Sequence, residues 1–435
     1  MELIANRAKH ALSGTVVVPG DKSISHRSLM FGAIADGRGT VTGMLEGEDC
    51  LATAAAMRAM GVAIERTAPG SYVIDGVGMH GLTAPSHAID LGNSGTGMRL
   101  LTGLLAAQSF SSRLVGDESL TIRPMGRIIK PLSSMGAEIG ANDGCAPLRI
   151  SPATDGLRGI RYPMPIASAQ VKSAILLAGL YADGETYVVE PGPSRDHTER
   201  MLTAMGADVR VQDDGVKIAP AQTLRAQDVV VPGDLSSAAF FLVAGSIVPG
   251  SDLILPGVGV NPTRTGVIDI LRQMGADLSL TNARESGGEP VADIRVRASA
   301  LQAIDLDPKF VPLAIDEFPV LFVAAACASG RTRFSGLAEL RHKESDRIGV
   351  MVSGLRTLGI DVSESGDTVE IDGGTFGGGR VDSHGDHRIA MAFAVAATVG
   401  NAAISIEKPE NIATSFPNFV DLSDSVGFDL ALEGG

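Results

Sequence analysis

One phrase occurs six times in this chain, and the fold has to accommodate a unit used six times. It reads Met57-Arg-Ala-Met60-Gly61, Leu132-Ser-Ser-Met135-Gly136, Leu202-Thr-Ala-Met205-Gly206, Leu271-Arg-Gln-Met274-Gly275 and Leu355-Arg-Thr-Leu358-Gly359, with a degraded copy ending at Val426-Gly427. The glycines lie 75, 70, 69, 84 and 68 residues apart. Each phrase closes an amphipathic stretch and precedes an alternating one such as Ala207-Asp-Val-Arg-Val, which reads as a helix stopped by a C′ glycine and followed by a strand. A period near 70 residues is too long for a solenoid. It suits a small α/β subdomain, with three plus three copies making two domains.

A second repetition suggests where the halves meet. VVVPGD occurs as Val16–Asp21 and again as Val229–Asp234. Both read as crossover strands, giving one domain of residues 21–232 and another of residues 1–20 plus 233–435. Duplicated halves commonly bind a ligand in the cleft between them.

Composition narrows the partners. There are 36 Lys and Arg against 50 Asp and Glu, a net charge of −14, with 13 Phe, 4 Tyr and no Trp. Such a chain lacks both the basic face and the stacking platforms of a nucleic-acid binder. Apolar runs such as Ala238–Ala244 and Val320–Ala328 fall short of the ~20 residues that span a bilayer. The opening Met1-Glu2-Leu3-Ile4 does not read as a secretory signal. Cys50, Cys145 and Cys327 are odd in number and far apart, as expected of free thiols in a reducing cytoplasm. A soluble, cytoplasmic protein is expected.

Against that acidic background, cations gather where helices begin. Asp21-Lys22-Ser23-Ile24-Ser25-His26-Arg27 enters an apolar-periodic helix. Lys22 and Arg27 oppose the dipole there unless an anion sits with them; a solvated, Ser-capped basic turn is the plainer alternative. Leu91-Gly-Asn-Ser-Gly95-Thr96-Gly-Met-Arg99 places a Gly-rich turn before another helix, matching neither a Walker nor a Rossmann pattern. Arg123 and Arg127 flank Pro124, Ser168 and Gln170 open a further helix, and Arg195 stands at one more helix start. Together they point to a ligand with more than one anionic group.

The second half adds acid–base groups. Asp316 and Glu317 precede a buried helix, where they either complement its dipole or handle protons. In Arg341-His-Lys343-Glu344-Ser-Asp346-Arg347 the charges either stitch a solvated helix or place Lys343 and Arg347 one turn apart around an anion. His384-Gly-Asp386-His387-Arg388 puts a cation before an apolar helix; its HxxH lacks a third ligand of fitting geometry, so no metal is expected.

These motifs resemble one family. VPGDKSISHRSLMFG, LGNSGTGMRL, SLTIRPMGR, ASAQVKSAILLAGL, NPTRTG, IDEFP, KESDRI, DHRIAMA and ATSFPNF are similar, in order and along almost the whole chain, to the 5-enolpyruvylshikimate-3-phosphate synthases, in particular their class II bacterial branch. The resemblance implies a two-domain inverted α/β fold, each domain of three βαβαββ repeats, with the active site in the interdomain cleft. It implies transfer of the enolpyruvyl group of phosphoenolpyruvate to the 5-hydroxyl of shikimate 3-phosphate, with no cofactor, in a protein acting as a monomer. By the same resemblance Asp316 is the hydroxyl base, and Lys22 and Glu344 are the proton-transfer groups. Lys22, Ser23, Arg27, Ser168, Gln170, Arg195, Asp316 and Lys343 would contact shikimate 3-phosphate; Lys22, Gly95, Arg123, Gln170, Arg347 and Arg388 would hold phosphoenolpyruvate. Gly95 implies sensitivity to glyphosate. Ala169, Glu339 and Thr414 depart from the class I pattern, so no role carries over to them. The sister enzymes that use UDP-N-acetylglucosamine carry a mobile-loop Cys by an RP-x-G turn; here Arg123-Pro-Met-Gly126 is followed by Arg127, and Cys145 belongs to another phrase.

Overall fold

A helix ends well only when its last carbonyls find donors, and a glycine in the left-handed region makes the turn that supplies them. In the computed structural model, which describes residues 1–434, all six phrases do this. Gly61, Gly136, Gly206, Gly275, Gly359 and Gly427 have φ between 85° and 112°. In each copy the glycine N–H donates to the carbonyl three residues back, and the next N–H to the carbonyl five back, as in Gly61 to Arg58 (3.0 Å) and Val62 to Met57 (3.2 Å).

The chain divides into two units. One comprises Met1–Pro19, Pro232–Arg284 and Pro290 onward; the other comprises Gly20–Val231 with Glu285–Glu289. Each has its own aliphatic core. The second unit contains three four-stranded sheets of one pattern, a parallel pair extended by two antiparallel strands. In the first of them Val229–Val230 runs parallel to Asp36–Thr42, which pairs antiparallel with Ser71–Val77 and that with Ala63–Ala68. The sheets around Ser112–Val115 and Thr186–Val189 repeat it.

The other unit repeats the pattern around Asp252–Gly259 and Ile404–Glu407. Its third sheet keeps only Arg331–Phe334, Thr368–Asp372 and Val362–Ser365. The parallel member shrinks there to bridges at Gln302–Ser329 and Asp305–Arg333. In the Ile404 sheet the strand Glu2–Asn6 lies between Ile404–Glu407 and Asp429–Glu433.

Each repeat contributes one inner and one outer helix. The outer helices end in the glycine phrase. The inner ones are Lys22–Ala33, Gly95–Leu105 and Ala169–Gly179 in one unit, and Leu235–Ile247, Phe318–Ala326 and His387–Ala397 in the other. All nine residues of Phe318–Ala326 are buried, because its sequence FPVLFVAAA is apolar on every side and so belongs inside a helical layer. The three inner helices of this unit pack on one another.

One expectation is corrected. The VVVPGD phrases are not crossover strands over their length: regular strand stops at Thr15 before the first, and covers only Val229–Val230 of the second. Pro19 and Pro232 lack an N–H, so the ladder cannot continue through them. No helix among the described residues is long and apolar enough to cross a membrane.

Candidate active site

Helix starts position the side chains singled out in the sequence: Lys22, Ser23, Arg27, Gly95, Ser168, Gln170, Asp316 and Arg388 lie at or near those of inner helices, and Arg123, Arg195, Lys343, Glu344 and Arg347 at or just before those of outer ones. Lys22, Ser23, Arg27, Gly95, Arg123, Ser168, Gln170 and Arg195 fall in the unit built on Gly20–Val231; Asp316, Lys343, Glu344, Arg347 and Arg388 fall in the other.

Asp21 caps the Lys22–Ala33 helix by accepting the Ile24 N–H (2.9 Å). Lys22, the first helical residue, opposes the helix dipole, and the protein supplies the compensating anion: Asp49 Oδ2 lies 2.5 Å from its Nζ. Nearby, His26 shares a 2.8 Å hydrogen bond with Thr53. Burial pushes its imidazole down to about 3, Lys22 and Arg27 adding to the effect and Asp49 opposing it, so the ring is neutral. Arg27 turns inward, donating to Thr198 Oγ1 (2.7 Å), to the Ser23 carbonyl (2.9 Å) and to Ser173 Oγ (2.8 Å). Burial lowers the Arg27 pKa to about 10, Glu199 and other carboxylates opposing and Arg195 assisting; it remains charged at neutral pH.

A second group forms around the Gly-rich turn. Ser94 caps the Gly95–Leu105 helix. Gln170 accepts from Arg99 Nη1 (2.6 Å) and donates to Thr96 Oγ1 (2.9 Å). A Cβ on Gly95 would stand 3.1 Å from Arg99 Nη1 and 3.2 Å from Arg123 Nη1, so Gly95 marks where two guanidiniums approach the backbone. Ser168 caps the Ala169–Gly179 helix, its Oγ accepting from Val171 N–H (3.4 Å).

In the other unit the groups converge on Arg347, whose side chain is 1% exposed. Nε donates to Asp386 Oδ2 (2.8 Å), Nη1 to Asp316 Oδ1 (3.2 Å) and Nη2 to Glu344 Oε2 (2.6 Å). Lys343 Nζ lies 3.2 Å from the same Asp316 oxygen. Arg388 donates to the Asp316 carbonyl (3.0 Å) and lies 3.5 Å from Glu317 Oε1. Burial favours a neutral Glu344, but Arg347 above all, with His387 and Lys343, outweighs it and holds the carboxyl well below the usual carboxylate range. For Arg347 burial is likewise overcome, by Glu344, Asp386 and Asp316, and its pKa is raised. The outcome is a permanently charged guanidinium with Glu344 kept in its proton-accepting form.

One sequence expectation changes here. Lys343 and Arg347 do not sit one turn apart on a helix, because the helix starts only at Arg347, capped by Asp346; they meet through Asp316 instead. Asp386, considered with HxxH, caps the His387–Ala397 helix by accepting the Arg388 N–H (2.9 Å), and its other oxygen receives Arg347 and Ser345. His384 is largely exposed. Cys145, remote in sequence from the Arg123 turn, is brought beside it by its hairpin, with Sγ 3.8 Å from the Ile122 carbonyl. Asp49, Arg99 and the structural part of Asp386 were not singled out. Of these Arg99 had a readable signal, standing three and four residues after Thr96 and Gly95 on one helix face.

Repeated α/β units that collect guanidiniums, ammoniums and carboxylates at helix starts define a protein for small, multiply anionic molecules. A family model described as EPSP synthase (3-phosphoshikimate 1-carboxyvinyltransferase) matches residues 6–422. A 3-phosphoshikimate 1-carboxyvinyltransferase of Acidithiobacillus ferrooxidans is 58% identical over 416 residues, covering 96% of each chain. That of Methylococcus capsulatus is 56% identical over 420 residues, again 96% of each. The structure of EPSP synthase from Acinetobacter baumannii superimposes with a TM-score of 0.92 at 52% identity, covering 99% of this chain and 100% of that one. The chain belongs to the EPSP synthase family.

Proposed function

We propose that this chain transfers the enolpyruvyl group of phosphoenolpyruvate to the 5-hydroxyl of shikimate 3-phosphate. A proton adds to C3 of phosphoenolpyruvate, and the hydroxyl oxygen attacks the cationic C2 while its own proton passes to Asp316. The tetrahedral adduct then loses a methyl proton and inorganic phosphate, restoring the double bond as an enol ether. Asp316 is the base, and Lys343 and Arg347 both reach it, at 3.2 Å, fixing the carboxylate in place. Lys22 and Glu344 are the groups for the two transfers at C3, Glu344 being the carboxylate that Arg347 holds at 2.6 Å.

Arg347, Arg388, Arg123 and Lys22, with Gln170 and Gly95, hold phosphoenolpyruvate and stabilise the departing phosphate. Ser23, Arg27, Ser168, Gln170, Arg195 and Lys343 take shikimate 3-phosphate, together with Lys22 and Asp316. The chain works as a monomer, since it carries every group the scheme uses. We place it in the cytoplasm, where Cys50, Cys145 and Cys327, all free, stay reduced.

The observation that carries this reading is the buried Arg347 fork on Asp316, Glu344 and Asp386. It is tested by phosphate release from phosphoenolpyruvate with shikimate 3-phosphate, and separately with UDP-N-acetylglucosamine. Release with the first alone, reduced at least ~100-fold by Asp316→Ala, is expected. Release only with the nucleotide sugar would overturn the acceptor assignment.

A further inference from the structure

Lys172 has no part in the scheme above, yet its ammonium is among the most deeply buried charges described, 1% exposed. It sits on the Ala169–Gly179 helix, with Nζ 2.9 Å from Glu190 Oε2 and 2.6 Å from Glu199 Oε1. Stability alone is a weak reason for such a cluster. Ions taken out of water recover their desolvation only with good partners, and well-packed aliphatic side chains often serve as well or better.

What the cluster does have is reach. Glu190 Oε1 accepts from Ser194 Oγ at 2.5 Å, so Lys172 holds, through Glu190, the segment that carries Ser194 and Arg195. Glu199 follows Thr198, which receives Arg27 Nε at 2.7 Å. Ser173, next to Lys172, bonds both Thr198 (2.8 Å) and Arg27 Nη2 (2.8 Å). Two adjacent rungs therefore join the Ala169–Gly179 and His197–Ala204 helices, one through Lys172 and one through Arg27.

We propose that Lys172 is a positioning residue for phosphate recognition: it touches no substrate, but sets Ser194, Arg195 and Arg27 through Glu190 and Glu199. This rests on the assignment of Arg27, Ser168 and Arg195 to shikimate 3-phosphate.

The test compares Lys172→Met, Lys172→Arg and Arg195→Ala with the parent by steady-state phosphate release, each substrate varied in turn, with folding checked by circular dichroism. Lys172→Met is expected to raise KM for shikimate 3-phosphate about tenfold or more while KM for phosphoenolpyruvate and kcat stay within about threefold. Lys172→Arg, keeping the charge, recovers most of the loss. Should Lys172→Met leave both KM values unchanged while Arg195→Ala raises that for shikimate 3-phosphate, the inference falls and the functional reading stands. Equal weakening of both substrates, or Lys172→Arg no better than Lys172→Met, also overturns it. A parent that does not turn over shikimate 3-phosphate overturns the reading beneath. If Lys172→Met does not fold, Glu190→Ala, which cuts the same link at a partly exposed position, is expected to give the same selective rise; an unchanged KM there refutes the proposal.

Discussion

Arg347→Lys keeps a positive charge at the most heavily paired cation of its unit and removes the fork. The guanidinium reaches Asp386, Asp316 and Glu344 from three different nitrogens, and one ammonium cannot reproduce all three directions. Losing two charge-assisted hydrogen bonds at about 1.5 kcal/mol each gives a destabilisation of about 3 kcal/mol at pH 7. That corresponds to a fall of about 1 M in the urea midpoint, for a slope of ~2–3 kcal/mol per M. Because the chain has no Trp, far-ultraviolet circular dichroism is the readout.

The pH dependence carries a sign. Glu344 titrates near 4.5 when unfolded and lower when folded, so its contribution is complete above 4.5 and is lost as the pH falls through the folded value. Arg347→Lys returns Glu344 toward its ordinary range and shrinks that contribution. The stability gap between parent and variant therefore narrows as the pH falls below about 4.5. A variant within about 1 kcal/mol of the parent at pH 7, or a gap that stays constant into acid, would refute the reasoning.

Further outcomes follow from separate features. A Cβ on Gly354 would lie 2.1 Å from Phe393 Cζ, so Gly354→Ala is expected to cost about 1–3 kcal/mol through overpacking, read from the thermal midpoint; an unchanged midpoint contradicts that packing. Glu46 is held at about 2, chiefly by Arg66, with Tyr72 assisting. Its stabilising share is thus present above 4.5 and lost between 4.5 and about 2. Glu46→Gln should flatten that part of the acid limb by about 1 kcal/mol, the solvent beside Arg66 limiting the effect; an acid limb parallel to the parent's argues against it. Gly95→Ala pushes on Arg99 and Arg123 and is expected to raise KM for phosphoenolpyruvate about three- to tenfold and to weaken glyphosate inhibition of a sensitive parent, with little change in melting. An unchanged KM and inhibition would remove Gly95 from the site.

What was legible from sequence was what is local. A helix stop needs only its last turn and a glycine, and so the six phrases could be counted and the α/β repeat inferred without coordinates. Helix starts were equally readable, because caps and cations lie within a few residues of one another. Pairings across the chain were not. The partner of Lys22 proved to be Asp49, from the next helix, and Lys343 met Arg347 through Asp316 rather than along a helix. Asp386, not expected to hold a metal, had no readable partner until the helix that begins at Arg347 supplied one. In each case the deciding contact joins residues 27 to 39 positions apart, and spacing along the chain carries no record of it.

The placement of Glu2–Asn6 between Ile404–Glu407 and Asp429–Glu433 has a consequence for how the molecule is made. At ~5–20 residues per second, a ribosome that has just finished that strand needs roughly 20–80 s to deliver either neighbour. Most of the Gly20–Val231 unit is synthesised long before then, while Glu2–Asn6 waits without the neighbours that cover its apolar Leu3 and Ala5. A strand made about 400 residues ahead of both its neighbours is thus among the last segments to find its place.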